Sequence, residues 1–210
     1  YKKQAGNYFD TTLNYALSYD KRNQRFQPSD GYRQIFYQEI PLISENFSLM
    51  NSYRFDKYLE LSEDLVTTVS FLGKTITTLK SDRDVRVSKR LLMPSRRLRG
   101  FEPGKIGPVD GADFVGGNYL TSLNINTELP NLFNNSQNVD FKVFYDVANL
   151  WGADYRNNDS DDSNKIRSSA GIAVDWFTPV GPLNFSLAQP ITKKDTDKTE
   201  SFRFSLGTTF

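Results

Sequence analysis

Lys89, Arg90, Arg96, Arg97 and Arg99 crowd into one stretch that closes on Leu98-Arg99-Gly100-Phe101 and runs on into Ile106-Gly107-Pro108 and Val115-Gly116-Gly117-Asn118. A guanidinium presents two parallel donors that match a carboxylate or phosphate, so the chemistry open to this stretch is anion recognition, with Gly100 allowing a tight turn beside the partner. Little other chemistry is available. The chain has neither histidine nor cysteine, which removes Ser-His and Cys nucleophiles, the usual zinc sites and disulfides, and leaves only carboxylate, Lys, Tyr or Ser-Lys chemistry. Asp159, Asp161 and Asp162 lack the turn glycine and the downstream bidentate glutamate of a calcium loop, so they read as a flexible exposed segment. We therefore expect no enzyme, no cofactor and no metal. With 26 basic residues against 25 acidic ones the net charge is +1, too little for a global field that would attract nucleic acid. On its tripeptide alone, Arg99 reads as one more solvated cation.

The elements that would position these residues are strands. Phe9, Leu13, Tyr15, Leu17 and Tyr19 share one face of the first, opposite Asp10, Thr12, Asn14 and Ser18, which is the period-2 signal of a strand with two differently solvated faces. After a charged connector from Asp20 to Gly31, the second strand spans about Tyr32 to Ile40. Phe47, Leu49, Tyr53 and Phe55 mark the third, whose apolar face Asn51 interrupts, and Leu65 to Lys74 the fourth. Residues 75–116 do not alternate, and an unstructured stretch of that length is usually functional or disordered. The fifth strand, Gly117 to Leu129, sets Tyr119, Thr121, Leu123 and Ile125 against Leu120, Ser122, Asn124, Asn126 and Glu128. After a turn at Pro130 to Asn135, the sixth sets Val139, Phe141, Val143, Tyr145 and Val147 against Asp140, Lys142, Phe144 and Asp146. The seventh, Arg167 to Phe177, sends Ile172, Val174 and Trp176 outward and turns at Thr178 to Pro182 into the eighth, Leu183 to Gln189. After a charged loop, the ninth alternates Phe202, Phe204, Leu206, Thr208 and Phe210, with Gly207 inside it.

No apolar run approaches the roughly 18 residues of a membrane helix, which excludes a helical membrane protein but not a barrel, where only alternate residues face lipid. An aromatic content of 14% fits interfacial girdles. Long connectors follow the fourth, sixth and eighth strands, so turns belong on the periplasmic side and loops outside. Nine strands with one end outside predict a truncated chain, because complete bacterial barrels have even strand numbers. The fold class expected is all-β: a transmembrane antiparallel β-barrel in the outer membrane, here its C-terminal nine or so strands. The basic loop then either meets lipopolysaccharide phosphates or, the reading preferred, forms a solvated surface.

The ordered run of Leu98-Arg99-Gly100-Phe101, Ile106-Gly107-Pro108, Val115-Gly116-Gly117-Asn118, Ser169-Ala170-Gly171, Gly181-Pro182-Leu183, Ala188-Gln189-Pro190 and the Phe202 to Phe210 ending resembles the BamA family, the barrel subunits of the machinery that folds outer-membrane proteins. The resemblance extends from Phe9 to Phe210 and implies a barrel of about sixteen strands whose N-terminal strands and periplasmic domains lie outside this sequence. It implies that the 75–116 loop folds into the lumen, with Arg99, Gly100 and Phe101 against the inner wall and Asp146 as acidic partner of Arg99. The family's second acidic position matches Asn124, and Glu128 on the same face is the expected substitute. The terminal strand, 201–210 with Phe202, Phe204, Leu206, Gly207 and Phe210, corresponds to the family's lateral seam, where a strand glycine permits a kink. Implied partners are unfolded β-barrel clients, accessory assembly lipoproteins, and outer-membrane lipids with lipopolysaccharide, with no nucleic acid. The expected function is insertion of barrel proteins through that seam; the alternative is a two-partner secretion pore, and a barrel hydrolase is disfavoured by the lack of histidine. Nine strands by themselves leave two unpaired edges in lipid, so this stretch is not expected to close as a barrel unaided.

Overall fold

The computed structural model describes residues 7–62, 65–81, 83–130, 138–154, 160–162, 164–179 and 181–206. Its framework is one antiparallel sheet built from β1 (Thr11–Asp20), β2 (Gly31–Ile43), β3 (Ser48–Ser62), β4 (Leu65–Thr78), β7 (Tyr119–Glu128), β8 (Val139–Trp151), β10 (Arg167–Thr178), β11 (Gly181–Thr192) and β12 (Phe202–Leu206), each paired to the next in that order. The short strands β5 (Val109–Asp110), β6 (Asp113–Phe114) and β9 (Ser160–Asp161) make a separate patch. Among the described residues the only helical element is the 3-10 turn Val87–Lys89.

The alternation decides the two faces. Leu17 pairs with Phe36, Phe36 with Tyr53, Phe71 with Leu123, Leu123 with Val147, and Leu187 with Phe202, so a continuous apolar surface lines one side of the sheet. Leu17, Ile172, Trp176, Phe202 and Leu206 on that side are exposed. This is the lipid-facing wall of a barrel, since an apolar surface so extended has no place in water. Asn51, which breaks the apolar run of β3, stands in the same outward row. Tyr15 donates to Gln38 (2.9 Å) and Gln38 donates to Asn51 (2.6 Å), so these polar groups satisfy one another where water is scarce.

The inner face changes character along its length. Toward the end where the β4–β7 connector leaves, it is apolar: Leu72, Ile76, Leu120, Ala148 and Leu150 bury themselves against Val85, Leu91, Met93, Leu98, Phe101 and Ile106 of that connector. Toward the other end it is charged, and the connector stands over a cavity of about 580 Å³ whose lining includes Arg33, Arg54, Asp56, Glu128, Lys142, Asp175 and Arg203. The principal hydrophobic core is therefore not between two sheets but between the inner wall and the loop that fills it.

Several elements differ from the sequence reading. β3 continues to Ser62 and β8 to Trp151, beyond the positions where alternation is visible. β4 continues to Thr78, into the 75–116 stretch that does not alternate, and residues 83–118 are ordered because their apolar side chains supply half of the core. Connector length does not follow side strictly: residues 44–47 join two strands tightly on the loop side, while residues 21–30 form a longer, tied connector on the turn side. There the Asn23 side chain accepts from the backbone of Gln24, Ser29 and Asp30, and Gln27 reaches across to Asp140 (3.2 Å) while Phe26 meets Phe177. The segment holding Asp161 and Asp162 is not a free loop either. Ser160 and Asp161 pair with β5, Asp161 meets Lys194, and Asp162 accepts from the backbone of Gly152. The calls at residues 131–135, Asp159, Gly207 and Phe210 lie outside the described residues.

Candidate functional site

Register brings β7, β8 and β10 together at one level of the inner wall: Asn124 faces Asp146, and Asp146 faces Ser169. Asp146 is completely buried. A carboxylate so placed needs several donors, and the loop supplies them. Arg99 gives it three bonds, from Nε (2.7 Å), Nη2 (2.6 Å) and its own backbone amide (3.1 Å). The remaining guanidinium capacity goes in part to Asn126, whose side-chain oxygen accepts from Nη2 at 2.7 Å.

Two further contacts fix the plane and the backbone of Arg99. The guanidinium carbon lies 3.4 Å from the centre of the Phe144 ring, a cation–π arrangement in a water-poor setting. Ser169 donates from its hydroxyl to the Arg99 carbonyl at 2.5 Å. Gly100, at φ +87°, then turns the chain where a Cβ would stand 3.2 Å from the Ala188 Cβ and 3.4 Å from that of Ser169, so only glycine meets both the backbone and the space requirement. Phe101 is buried in the core with Leu98.

Asp146 meets Arg99 as the resemblance implies, while the other two wall positions, Asn124 and Glu128, are engaged elsewhere. Asn124 does not bond Arg99; it donates to Asp146 (2.7 Å) and to the Arg97 carbonyl (2.9 Å), and accepts from the Arg97 guanidinium (3.1 Å). An amide suits that position because both donors are in use. Glu128 does not stand in for a second carboxylate: it is engaged by Lys142 at 2.7 Å, and Lys142 also meets Asp175 at 3.0 Å. Arg99 therefore has one carboxylate, one amide oxygen and one aromatic face. Sequence reasoning missed Phe144, Asn126 and Ser169 as partners. An aromatic among Asp140, Lys142 and Asp146 on a lumen face was the available signal for Phe144; Asn126 and Ser169 carry none of their own.

The loop is also fastened near both edges of the sheet. Beside β1, Arg86 donates twice to Asp10 (2.7 and 2.6 Å), while Lys89 lies 3.6 Å from Glu39. The Ser44 hydroxyl and the Arg86 guanidinium hold the Asp10 carboxyl below its ordinary range. At the other edge, residues 98–105 run beside the connector that leads into β12, with Phe101 bridged to Thr199. On β12 itself Phe202, Phe204 and Leu206 point outward and are exposed.

All 210 residues match the Omp85 superfamily domain. The chain belongs to the Omp85 superfamily. Among similar Omp85 proteins is the outer membrane protein assembly factor BamA of Neisseria meningitidis serogroup B, 33% identical over a match covering 54% of this chain and 17% of that protein. The BamA of Neorickettsia risticii is 24% identical over the whole of this chain and 28% of its own length. In three dimensions the chain resembles the crystal structure of Haemophilus ducreyi BamA lacking POTRA domains 1-3, with a TM-score of 0.81, 27% identity, and coverage of 92% of this chain and 41% of that one. The chain thus spans less than a third of the curated relatives it matches. These matches identify the sheet as part of an Omp85 barrel of the Gram-negative outer membrane, with its apolar face in lipid.

Proposed function

We propose that the protein containing this chain folds β-barrel proteins and inserts them into the outer membrane. Its clients are unfolded barrel chains, its surroundings outer-membrane lipids and lipopolysaccharide, and its co-workers accessory assembly lipoproteins. The relatives named as assembly factors support this reading. The observation that carries it is a wall-anchored loop, held by Arg99 on Asp146, that packs on the inner wall and touches the connector into β12, a strand with an apolar outward face. In the whole barrel β12 stands at the seam the resemblance implies, and opening that seam frees backbone groups on which a client strand is templated while already in lipid. No bond in the client is made or broken, so the task requires no catalytic group; client folding in lipid supplies the free energy.

Reconstitution tests the proposal. The full-length parent in lipid vesicles should speed the folding of an added urea-unfolded barrel protein, read as protease-resistant, heat-modifiable product, over empty vesicles. Equal rates with and without the parent, together with selective passage of one secreted partner, would replace this reading with that of a secretion pore.

A further inference from the structure

Arg203 lies on β12, at a position whose neighbours Phe202 and Phe204 face lipid, so its own side chain enters the lumen. There it donates from Nη1 to the Ser95 carbonyl (2.9 Å) and from Nη2 to the Phe101 carbonyl (2.7 Å), while Nε meets Glu200. Ser95 and Phe101 stand on either side of Arg99. The same turn of the loop is thus gripped from two walls: by Asp146 on β8 and by Arg203 on β12, with β10 and β11 lying between. A backbone ladder extends the second grip. Glu200 donates to the Gly100 carbonyl (3.1 Å), Glu102 to that of Lys198 (3.0 Å), and Lys198 to that of Lys105 (3.0 Å).

We propose that Arg203 is a positioning residue that makes loop docking and the order of the terminal strand one coupled equilibrium. Among the described residues β12 pairs with β11 from Leu183–Leu206 to Leu187–Phe202, and Ala188 donates to the Ser201 carbonyl beyond them, so on that side the strand is held by backbone bonds while Arg203 ties it to the loop. Lifting the loop off Asp146 removes both carbonyls that Arg203 uses and leaves a lumenal cation with Glu200 alone. Swinging β12 outward draws the guanidinium away from the loop. Each motion therefore carries the cost of breaking the same charge-assisted bonds, which is the condition for coupling between two sites. The inference deepens the insertase reading, in which an edge strand must open for a client, but its test is independent of insertion.

The test is hydrogen exchange at the amides of residues 202–206 in the full-length parent held in lipid. Arg99→Ala and Arg203→Ala should each raise that exchange about tenfold, the scale of losing a charged hydrogen bond. The double variant should exchange far less than the product of the two single effects, because both substitutions remove the same Arg203 bonds to the loop and leave only the backbone ladder at Gly100 to Lys105 between loop and strand. Joining the bridged pair by Phe101→Cys with Thr199→Cys should restore slow exchange to Arg203→Ala, and formation of that disulfide verifies that the variant is folded. Unchanged exchange in Arg203→Ala, or effects of Arg99→Ala and Arg203→Ala that multiply in the double variant, would overturn the proposal. If exchange behaves as expected and vesicles show no assistance of client folding, the coupling stands and the insertase reading fails.

Discussion

Gly171 on β10 stands directly opposite Phe144 on β8, and its missing side chain is the space that the Phe144 ring occupies beneath Arg99. A Cβ at Gly171 would come within 2.7 Å of the ring and 2.0 Å of the Leu187 carbonyl oxygen. Neither neighbour can yield without moving the platform of the guanidinium. Gly171→Ala should therefore destabilise the barrel by about 1–3 kcal/mol, the usual cost of overpacking. Gly104→Ala, where nothing lies within 4 Å, should cost about 1 kcal/mol from its left-handed backbone alone. Heat-modifiability of the two full-length variants, compared at rising temperature, measures the difference.

Fork geometry, not charge alone, holds the loop. Arg99→Lys keeps the cation but loses the paired donors to Asp146 and the flat face over Phe144, so loop residues 95–101 should become sensitive to protease. Asp146→Asn should be worse, by about 3 kcal/mol in stability, because it leaves a partly buried guanidinium without its counter-charge. Protease accessibility and urea midpoints of the two variants read these effects.

Asn124 and Glu128 should part company. Asn124→Ala strips a donor from the buried carboxylate of Asp146 and another from the Arg97 carbonyl, and should weaken docking by about 1–3 kcal/mol. Glu128→Gln disturbs only the Lys142 pair and should leave loop protection unchanged. The same protease assay ranks them.

The fastening beside β1 has an acid limit. The Asp10 carboxyl is held low by the Ser44 hydroxyl and by Arg86, so the stabilisation it gives is fully present above the ordinary carboxylate value and is lost as pH falls through the lowered one. Protection of the Val85 and Arg86 amides, taken relative to the intrinsic exchange rate at each pH, should stay high from neutral pH to mildly acidic conditions and fall only below the usual carboxylate range. In Asp10→Asn, protection there should be lower at neutral pH and flat across the same interval.

What could be read from the sequence follows from what repeats. The period of two in Leu13 to Tyr19 and Val139 to Val147 reports which face meets lipid, and the long strands place Asp146 on the inner wall. Leu120 shows where that reading stops: by alternation it shares the polar face of Ser122 and Asn124, yet it is buried against the loop. Its partners Leu91, Met93 and Leu98 follow no period, so no local pattern announces the core they build. Arg203 was hidden for a related reason. Its place in an alternating strand marks it as lumenal, while its acceptors are backbone carbonyls, which every residue has.

The proposed insertion of clients requires the loop, held on the wall by Arg99, to set the seam. The most direct measurement is complementation of cells depleted of their own assembly barrel, using the full-length parent gene unchanged and with Arg99→Ala. The unchanged gene should restore outer-membrane protein levels, and the variant should reach the membrane in equal amount and fail to restore them. Full restoration by Arg99→Ala would contradict the account.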